Sequence, residues 1–468
     1  MKSKIKVLVP RLKHTCRNLS VHGPSFLARN DVHFAYRLIY FIVYIHVWIA
    51  AVASIYKYIS TYQDDTIRFT TRTDYLDWNT TFPSITVCQI VNNDKILHQT
   101  QGNDKPNEKR ADLFKQVAFF RGDCPSCSIL CENSTNCEIE ITLLSSLYRT
   151  TCKDLFIDCT WNNKPMNCCL YFKPIPTEYG TCFSLNNNQF NEKHSSYFVA
   201  SSQQRGLGSL SISLSQDYEA FLHSQDDVPF WNMEHDRRIT VTGGSHATIL
   251  FSIVDILNEL EVKLTVPDVR QCRFPDEVPD NFHGFQYYSY STCIIQCRIQ
   301  AQLEMCGCVS HLSPNEYRGI HCDLDGLRCL SKNYESLRQL KIPGNNETGL
   351  ECKCLSSCTE PEYNIIAKKT DIANDDKSRV ASFILGNKPF ERVTRQLAHT
   401  TLDLVVAVGN CFGLCFGGSL LSIVELLYYI CFNIQLAQSF NWILISKINE
   451  QIVTLQFYLS INLLNIIS

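Results

Sequence analysis

Three glycines recur at every fourth residue late in this chain, Gly409, Gly413 and Gly417, and the last is followed by Gly418 and Ser419. A spacing of four lines one face of a helix, and in lipid a stripe of small residues lets helix backbones approach closely. Close packing accounts for Gly409 and Gly413. Gly417-Gly418-Ser419 ask for more, because adjacent glycines favour a local break. Broken backbone inside a membrane persists only where protein or water meets its polar groups. The chemistry open to such a segment is ion coordination: a ring of carbonyls and Ser hydroxyls can replace part of a cation's hydration shell. Ser422 and Glu425 continue from Ser419 at steps of three, and Glu425 is the only charged residue between Leu404 and Ser446. A lone acid in an apolar run is costly and by default functional. Its plainer role is an interfacial acid at a helix end.

The second reactive population is cysteine. Twenty of the 24 cysteines lie between two hydrophobic runs, one near each end of the chain. An even number in an oxidising exterior favours disulfides. Cys124-Pro-Ser-Cys127 also has zinc-ligand spacing, but no second pair stands near it at ribbon spacing, so no metal and no cofactor is expected. Enzymatic motifs are missing: there is no Gly-x-Ser-x-Gly, no His-Glu-x-x-His and no phosphate loop. The chain reads as a non-enzyme.

The elements that must position these residues are membrane helices. Leu38 to Tyr56 is nineteen residues without Asp, Glu, Lys or Arg, long enough at about 1.5 Å per residue to cross a bilayer core. No small-residue cleavage pattern follows it, so it reads as an anchor. The second run begins near Leu404. Two spans put both termini on one side and the roughly 340 residues between them on the other. Residues 1–37 carry eight Lys or Arg against Asp31 alone, which places the N-terminus in the cytoplasm. Residues 58–400 hold 33 basic and 42 acidic residues, a net charge of −9. An acidic exterior raises local cation concentration and argues against nucleic acid as a partner; plain solubility explains many of the same carboxylates. Asn79, Asn133 and Asn346 head glycosylation tripeptides on the outside, whereas Asn18 falls inside. His46, mid-way along the first span, reads as a neutral histidine hydrogen-bonded in a helix bundle.

Between the spans, Ile85 and Val87 alternate with polar neighbours and predict a strand ending near Cys88. Residues 96–180 are polar and rich in loop formers, so cross-links rather than core are expected to hold them. Residues 181–270 read as strands, cleanest at Leu210 to Leu214 and Thr248 to Ile253. Ser291 to Glu304 reads as a helix with Cys293 and Cys297 on one face, Ser356 to Ile366 returns toward the membrane, and 380–400 reads as a polar approach to the second span.

Short motifs stand in order around this topology: His22-Gly23 before the first span, Phe82-Pro-Ser-Ile-Thr-Val-Cys88 after it, and Gly180-Thr-Cys182-Phe-Ser-Leu-Asn186. They continue with Cys293-x3-Cys297-x8-Cys306-Gly-Cys308, then Cys322, Cys329 and Cys352-Lys-Cys354-x3-Cys358, and end at Gly413 to Glu425. Together these pieces resemble the degenerin/epithelial sodium channel superfamily. The likeness covers roughly residues 20–432, and the additional cysteines together with Cys159-Thr-Trp161 and Asn167-Cys168 are similar to the pickpocket branch.

The resemblance implies an α+β membrane protein, with two transmembrane helices flanking a large disulfide-rich extracellular domain of β-rich palm and β-ball and helical finger and thumb. Its divisions would be a cytoplasmic segment 1–36 with the His-Gly gating motif, a first helix 37–59 and an extracellular domain 60–400 with its thumb at about 271–360. A second helix 401–432 would carry the filter Gly417, Gly418 and Ser419, followed by a tail 433–468. It implies the bridges Cys88–Cys182, Cys159–Cys168, Cys272–Cys358, Cys293–Cys354, Cys297–Cys352, Cys306–Cys329 and Cys308–Cys322. Six cysteines of the finger stay open to fifteen connectivities. The function implied is a subunit of a trimeric, sodium-selective, amiloride-sensitive, non-voltage-gated channel of the plasma membrane with a sensory role. It would assemble as a homo- or heterotrimer in the lipid bilayer, with sodium ions as its cargo, both termini cytoplasmic and a gating ligand that the sequence does not name. A non-conducting modulatory subunit and a two-pass cysteine-rich receptor share the topology. A receptor would not need glycines and an acid in its second span. An ATP-gated channel would need a cluster of extracellular Lys and Arg, which is not found. Two departures stand out: Phe440 to Ser468 is apolar where the family has a polar tail, and Gly418 stands where relatives commonly carry Ala or Ser. Val406, thirteen residues before Ser419, falls where the family usually has a small residue and where bulk hinders closure; a count shifted by one puts Ala407 there.

Overall fold

The computed structural model describes residues 17, 22–29, 31–64, 66–73, 79–100, 108–129, 141–189, 199–202, 206–341, 349–373, 375, 377–419, 421–425 and 427–428. The chain divides into two compact units, Ile67–Leu397 and the flanking segments Met1–Thr66 with Ala398–Ser468.

The larger unit is built on two sheets. One has eight strands, running Ile67–Arg72, Arg392–Leu397, Ser245–Asn258, Arg379–Leu385, Ser209–Leu214, Phe156–Trp161 and Lys164–Pro165, with Glu362–Ile372 also paired to Ser245–Asn258. The other has five, ordered Arg238–Val241, Tyr218–His223, Ser84–Gln89, Gly180–Leu185 and Lys173–Thr177. The fourteen-residue strand Ser245–Asn258 is central: it runs antiparallel to Glu362–Ile372 and parallel to both Arg379–Leu385 and Arg392–Leu397. Its inward residues Ala247, Ile249, Phe251 and Ile253 alternate with less buried ones, the period of a half-buried strand. They meet Leu210, Ile212, Leu214, Ala381, Phe383 and Leu385 of the same sheet and Ile85, Val87, Tyr218, Ala220 and Leu222 of the other in one apolar core. Ser84–Gln89 is buried on both faces. Its second face carries Cys88 into a neighbouring cluster with Cys182, Phe221 and Ile294.

Two expectations are corrected here. Residues 380–400 are no mere approach to the membrane: they supply two strands of the main sheet, with Ala381, Phe383 and Leu385 inward and Ser382 and Ile384 less buried between them. Residues 96–180 do hold an apolar core. Glu108–Ala118 and Ile141–Tyr148 are helices. Leu113, Val117 and Phe120 recur at helical spacing and pack with Leu324, Leu327 and Leu330, while Ile96, Phe114, Phe119 and Tyr148 form a second cluster. The charged residues between them belong to the outer helix face.

The helical segment after Cys272 starts with Tyr290–Cys306, whose N-terminus is fixed by a reciprocal capping box between Ser289 and Thr292 and whose end is set by Gly307 in the left-handed region. Leu324–Lys332 follows, capped by the Asp323 carboxylate. Arg298, on the first of these helices, is buried. Its guanidinium donates to Glu178, to Asn232 and to the Leu337 carbonyl, and lies over the Trp231 ring, so the helix is tied to the β-rich body by a buried, paired charge.

Candidate functional site

The smaller unit contains the long helix Phe34–Asp64, most of whose apolar side chains, among them Phe41, Ile42, Ile45 and Ile49, are exposed. Residues 34–63 of it are long and apolar enough to cross a membrane. A second apolar helix, Thr401–Phe416, is sixteen residues long and opens with a capping box between Thr400 and Asp403. The two helices pack through Ala51 and Phe416, both 1% exposed, with the Trp48 and Phe416 rings 4.3 Å apart and Cys411 and Cys415 alongside. His46 Nδ1 lies 2.8 Å from the Ile42 carbonyl of its own helix.

The second helix stops at Gly417, which adopts φ 58° and donates its N–H to the Gly413 carbonyl at 2.8 Å. This is the left-handed cap that glycine adopts without a Cβ penalty. Gly418 and Ser419 continue without helical structure, and helix resumes over residues 421–425. Ser419 caps the new start: its Oγ accepts from the Ser422 N–H at 3.3 Å, and its own N–H donates to Ser422 Oγ at 3.2 Å. The three residues Gly417-Gly418-Ser419 therefore form a break with a cap on each side. Their surroundings leave no room for bulk. A Cβ on Gly418 would stand 2.6 Å from the Phe412 ring, and one on Gly417 would stand 2.6 Å from His22 Nδ1.

The His-Gly motif thus lies on the break. The His22 N–H donates to the Phe416 carbonyl at 2.9 Å, the last helical residue before Gly417. Gly23 holds φ 111° and is buried, with no space for a side chain against the Tyr44 ring. Spacing within the sequence gives no sign of this meeting, nor of the part played by Tyr44, Trp48, Phe412 and Phe416, which shape the seat. The one available signal was Phe412 and Phe416 at a separation of four. Ser422 is 5% exposed and Glu425 half-buried, while Val406 is 50% exposed and its helix face is open within the chain. A side chain at Gly409 would also meet open space, so that glycine does not serve packing between the two helices of one chain. Residues 429–468, with the apolar tail, lie outside the described residues.

The larger unit carries the bridged cysteines. Its bridges are Cys88–Cys182, Cys159–Cys168, Cys272–Cys358, Cys293–Cys354, Cys297–Cys352, Cys306–Cys329 and Cys308–Cys322. Cys152–Cys169 and Cys124–Cys127 are bonded as well, so neither thiolate of Cys124-Pro-Ser-Cys127 is left for a metal. Cys131, Cys137, Asn133, Asn346 and Asn18 lie outside the described residues, and Asn79 is exposed.

The family model described as amiloride-sensitive sodium channel matches residues 15–429. The chain belongs to that family. Sodium channel protein Nach of Drosophila melanogaster is 23% identical over 91% of this chain and 88% of its own length. Pickpocket protein 11 of the same species is 25% identical over 62% of this chain and 57% of its own, and the human bile acid-sensitive ion channel is 25% identical over 62% and 58%. As a member of the amiloride-sensitive sodium channel family the chain is placed among plasma-membrane ion channels, not enzymes, with a disulfide-rich, β-rich extracellular domain and an N-terminal apolar helix.

Proposed function

We propose that this chain is a subunit of a trimeric, sodium-selective, amiloride-sensitive cation channel with both termini in the cytoplasm and a second membrane span over residues 401–432. The observation that carries the reading is the doubly capped break at Gly417-Gly418-Ser419 with His22 seated against it. A break of this kind frees carbonyls inside an apolar helix, and these need partners that lipid cannot supply. Three copies around an axis would turn them, with three Ser419 hydroxyls, into a ring that substitutes for water around sodium. Ser422 and Glu425 continue the polar lining toward the inner end. His22 and Gly23 form the inner seat of the ring, where a shift of the N-terminal segment would widen or narrow it. The bridges stiffen the extracellular domain. Sodium preference rests on backbone oxygens, so Gly418 in place of a larger residue leaves it in force.

The test is voltage clamp of cells expressing the chain, alone and with sister subunits. An amiloride-blocked sodium current is expected, and Ser419→Cys should make it sensitive to external cadmium. Current that persists unchanged in the cysteine variant under cadmium removes the filter assignment. A chain that reaches the surface and neither carries nor alters current with any partner removes the channel reading itself.

A further inference from the structure

A cavity of the extracellular unit opens at the start of the helix Tyr290–Cys306. Its volume is about 800 Å³, within the range of small-molecule sites. Its floor is aromatic: the Phe282 and Tyr288 rings lie 5.7 Å apart, and Tyr290 and Ile294 extend the surface. The wall is covalently braced. Cys293–Cys354 and Cys297–Cys352 tie the helix to the strand of chain that closes the pocket, and the Tyr288 hydroxyl donates to the Leu355 carbonyl at 2.7 Å. Lys341 and Leu350 are held in register by a backbone hydrogen bond of 2.8 Å. The site is therefore formed before any ligand arrives, which removes an ordering cost from binding.

Its charges are unequal. Arg273, Lys341 and Lys353 face Asp268 and Glu351 around the mouth. Lys341 and Glu351 stand 3.9 Å apart and offset each other. Arg273 lies over the Tyr288 ring at 5.3 Å, and among the described residues its guanidinium donates one hydrogen bond, to the Glu277 carbonyl at 3.2 Å. Most of its guanidinium fork is thus open, fixed in plane by the ring beneath it, and suited to a planar anion. Lys353, which lines the same cavity, is exposed.

We propose that this pocket is an extracellular ligand site for a small anionic amphiphile, an aromatic or fused-ring body carrying one carboxylate or sulfonate. The body lies on Phe282 and Tyr288, and the anion is held by Arg273 with Lys353 at the rim. The assignment goes beyond ion conduction, and its readout needs no current.

The experiment photolabels the full chain in cell membranes with an aryl-azide naphthalenesulfonate and maps the adducts by mass spectrometry. Label is expected on the peptides holding Phe282, Tyr288 or Leu350 to Leu355, and naphthalene-2-sulfonate should protect them. Arg273→Gln should lower labelling about tenfold, the loss of one charged hydrogen-bonding partner. Lys353→Gln, whose exposed side chain leaves folding alone, should lower it about threefold. Label elsewhere, protection by naphthylmethylammonium in place of the sulfonate, or undiminished labelling of well-expressed Lys353→Gln would each overturn the proposal.

Discussion

Gly417 joins two constraints that act on the same atom. Its φ of 58° disfavours any side chain by about 1–2 kcal/mol, and its Cβ position is taken by the His22 imidazole. Gly417→Ala is expected to cut sodium current about tenfold or more at unchanged surface level, measured by voltage clamp with surface biotinylation; a wild-type current would break the link between the two motifs. Val406 poses the opposite question. It is exposed within one chain, so its two methyl groups are free to meet a neighbouring subunit, where overpacking of about 1–3 kcal/mol shifts a gating equilibrium some 5- to 150-fold. Val406→Gly should therefore lower the resting current, and an equal or larger one would mark the valine as well packed. Titration in the extracellular unit has two opposed limbs. The charge of Asp227, and then burial, push the Glu360 carboxyl up to about 8 from an ordinary 4.5. The stability gained from its neutral form is complete below about pH 4.5 and is lost as pH rises to about 8. Burial lowers His311 to about 3 from 6.5, so its contribution is present above about pH 6.5 and lost as pH falls toward 3. Glu360→Gln should flatten the first limb and spare the second in thermal melts of the purified channel. A melt profile as steep on the alkaline side as that of the parent would refute the assignment.

Elements were legible where one periodicity governed them. Leu210, Ile212 and Leu214 alternate in the sequence and line the inner face of the strand Ser209–Leu214. The helix expected from Ser291 to Glu304 runs from Tyr290 to Cys306, its ends set by a capping box and a glycine. Legibility failed where an element's apolar face was short and its partner distant. Leu113 and Val117 find Leu324 and Leu327, a pairing that no local pattern announces, and Arg379–Leu385 alternates over too few residues to show that it lies beside Ser245–Asn258. His-Gly and Gly-Gly-Ser could each be read alone; their contact is made by tertiary folding and could not. The central strand invites a direct test: Phe251→Ala removes a ring with 0% exposure and should cost about 3–5 kcal/mol, seen as a lowered melting temperature or retention inside the cell. The paired rungs Cys293–Cys354 and Cys297–Cys352 close loops of 61 and 55 residues. Because either constrains nearly the same chain, loss of one should be mild, and loss of both should cost about 2–5 kcal/mol. Additive losses would show that each acts on its own.

At the scale of the whole molecule, a basic N-terminal segment and an acidic middle imply an orientation that can be checked chemically. Asn79, exposed beside the strand Thr80–Thr81, should carry glycan, as should Asn133 and Asn346, while Asn18 should not. A glycosidase shift that survives loss of all three would reverse the topology. The order in which the cysteines find one another has a further consequence. If each described bridge is drawn as an arc over the sequence, no two arcs cross: 308–322 lies under 306–329, then 297–352, 293–354 and 272–358, while 124–127 and, around 159–168, 152–169 lie under 88–182. The covalent diagram is planar, like a stem drawn in thiols. No chain end has to pass through a closed ring for any of these bonds to form, so oxidation can proceed from short arcs to long ones as the polypeptide emerges. Pairing by order of emergence would instead join Cys88 to Cys124, and the strands that bring Cys182 to Cys88 must assemble before that first thiol is spent.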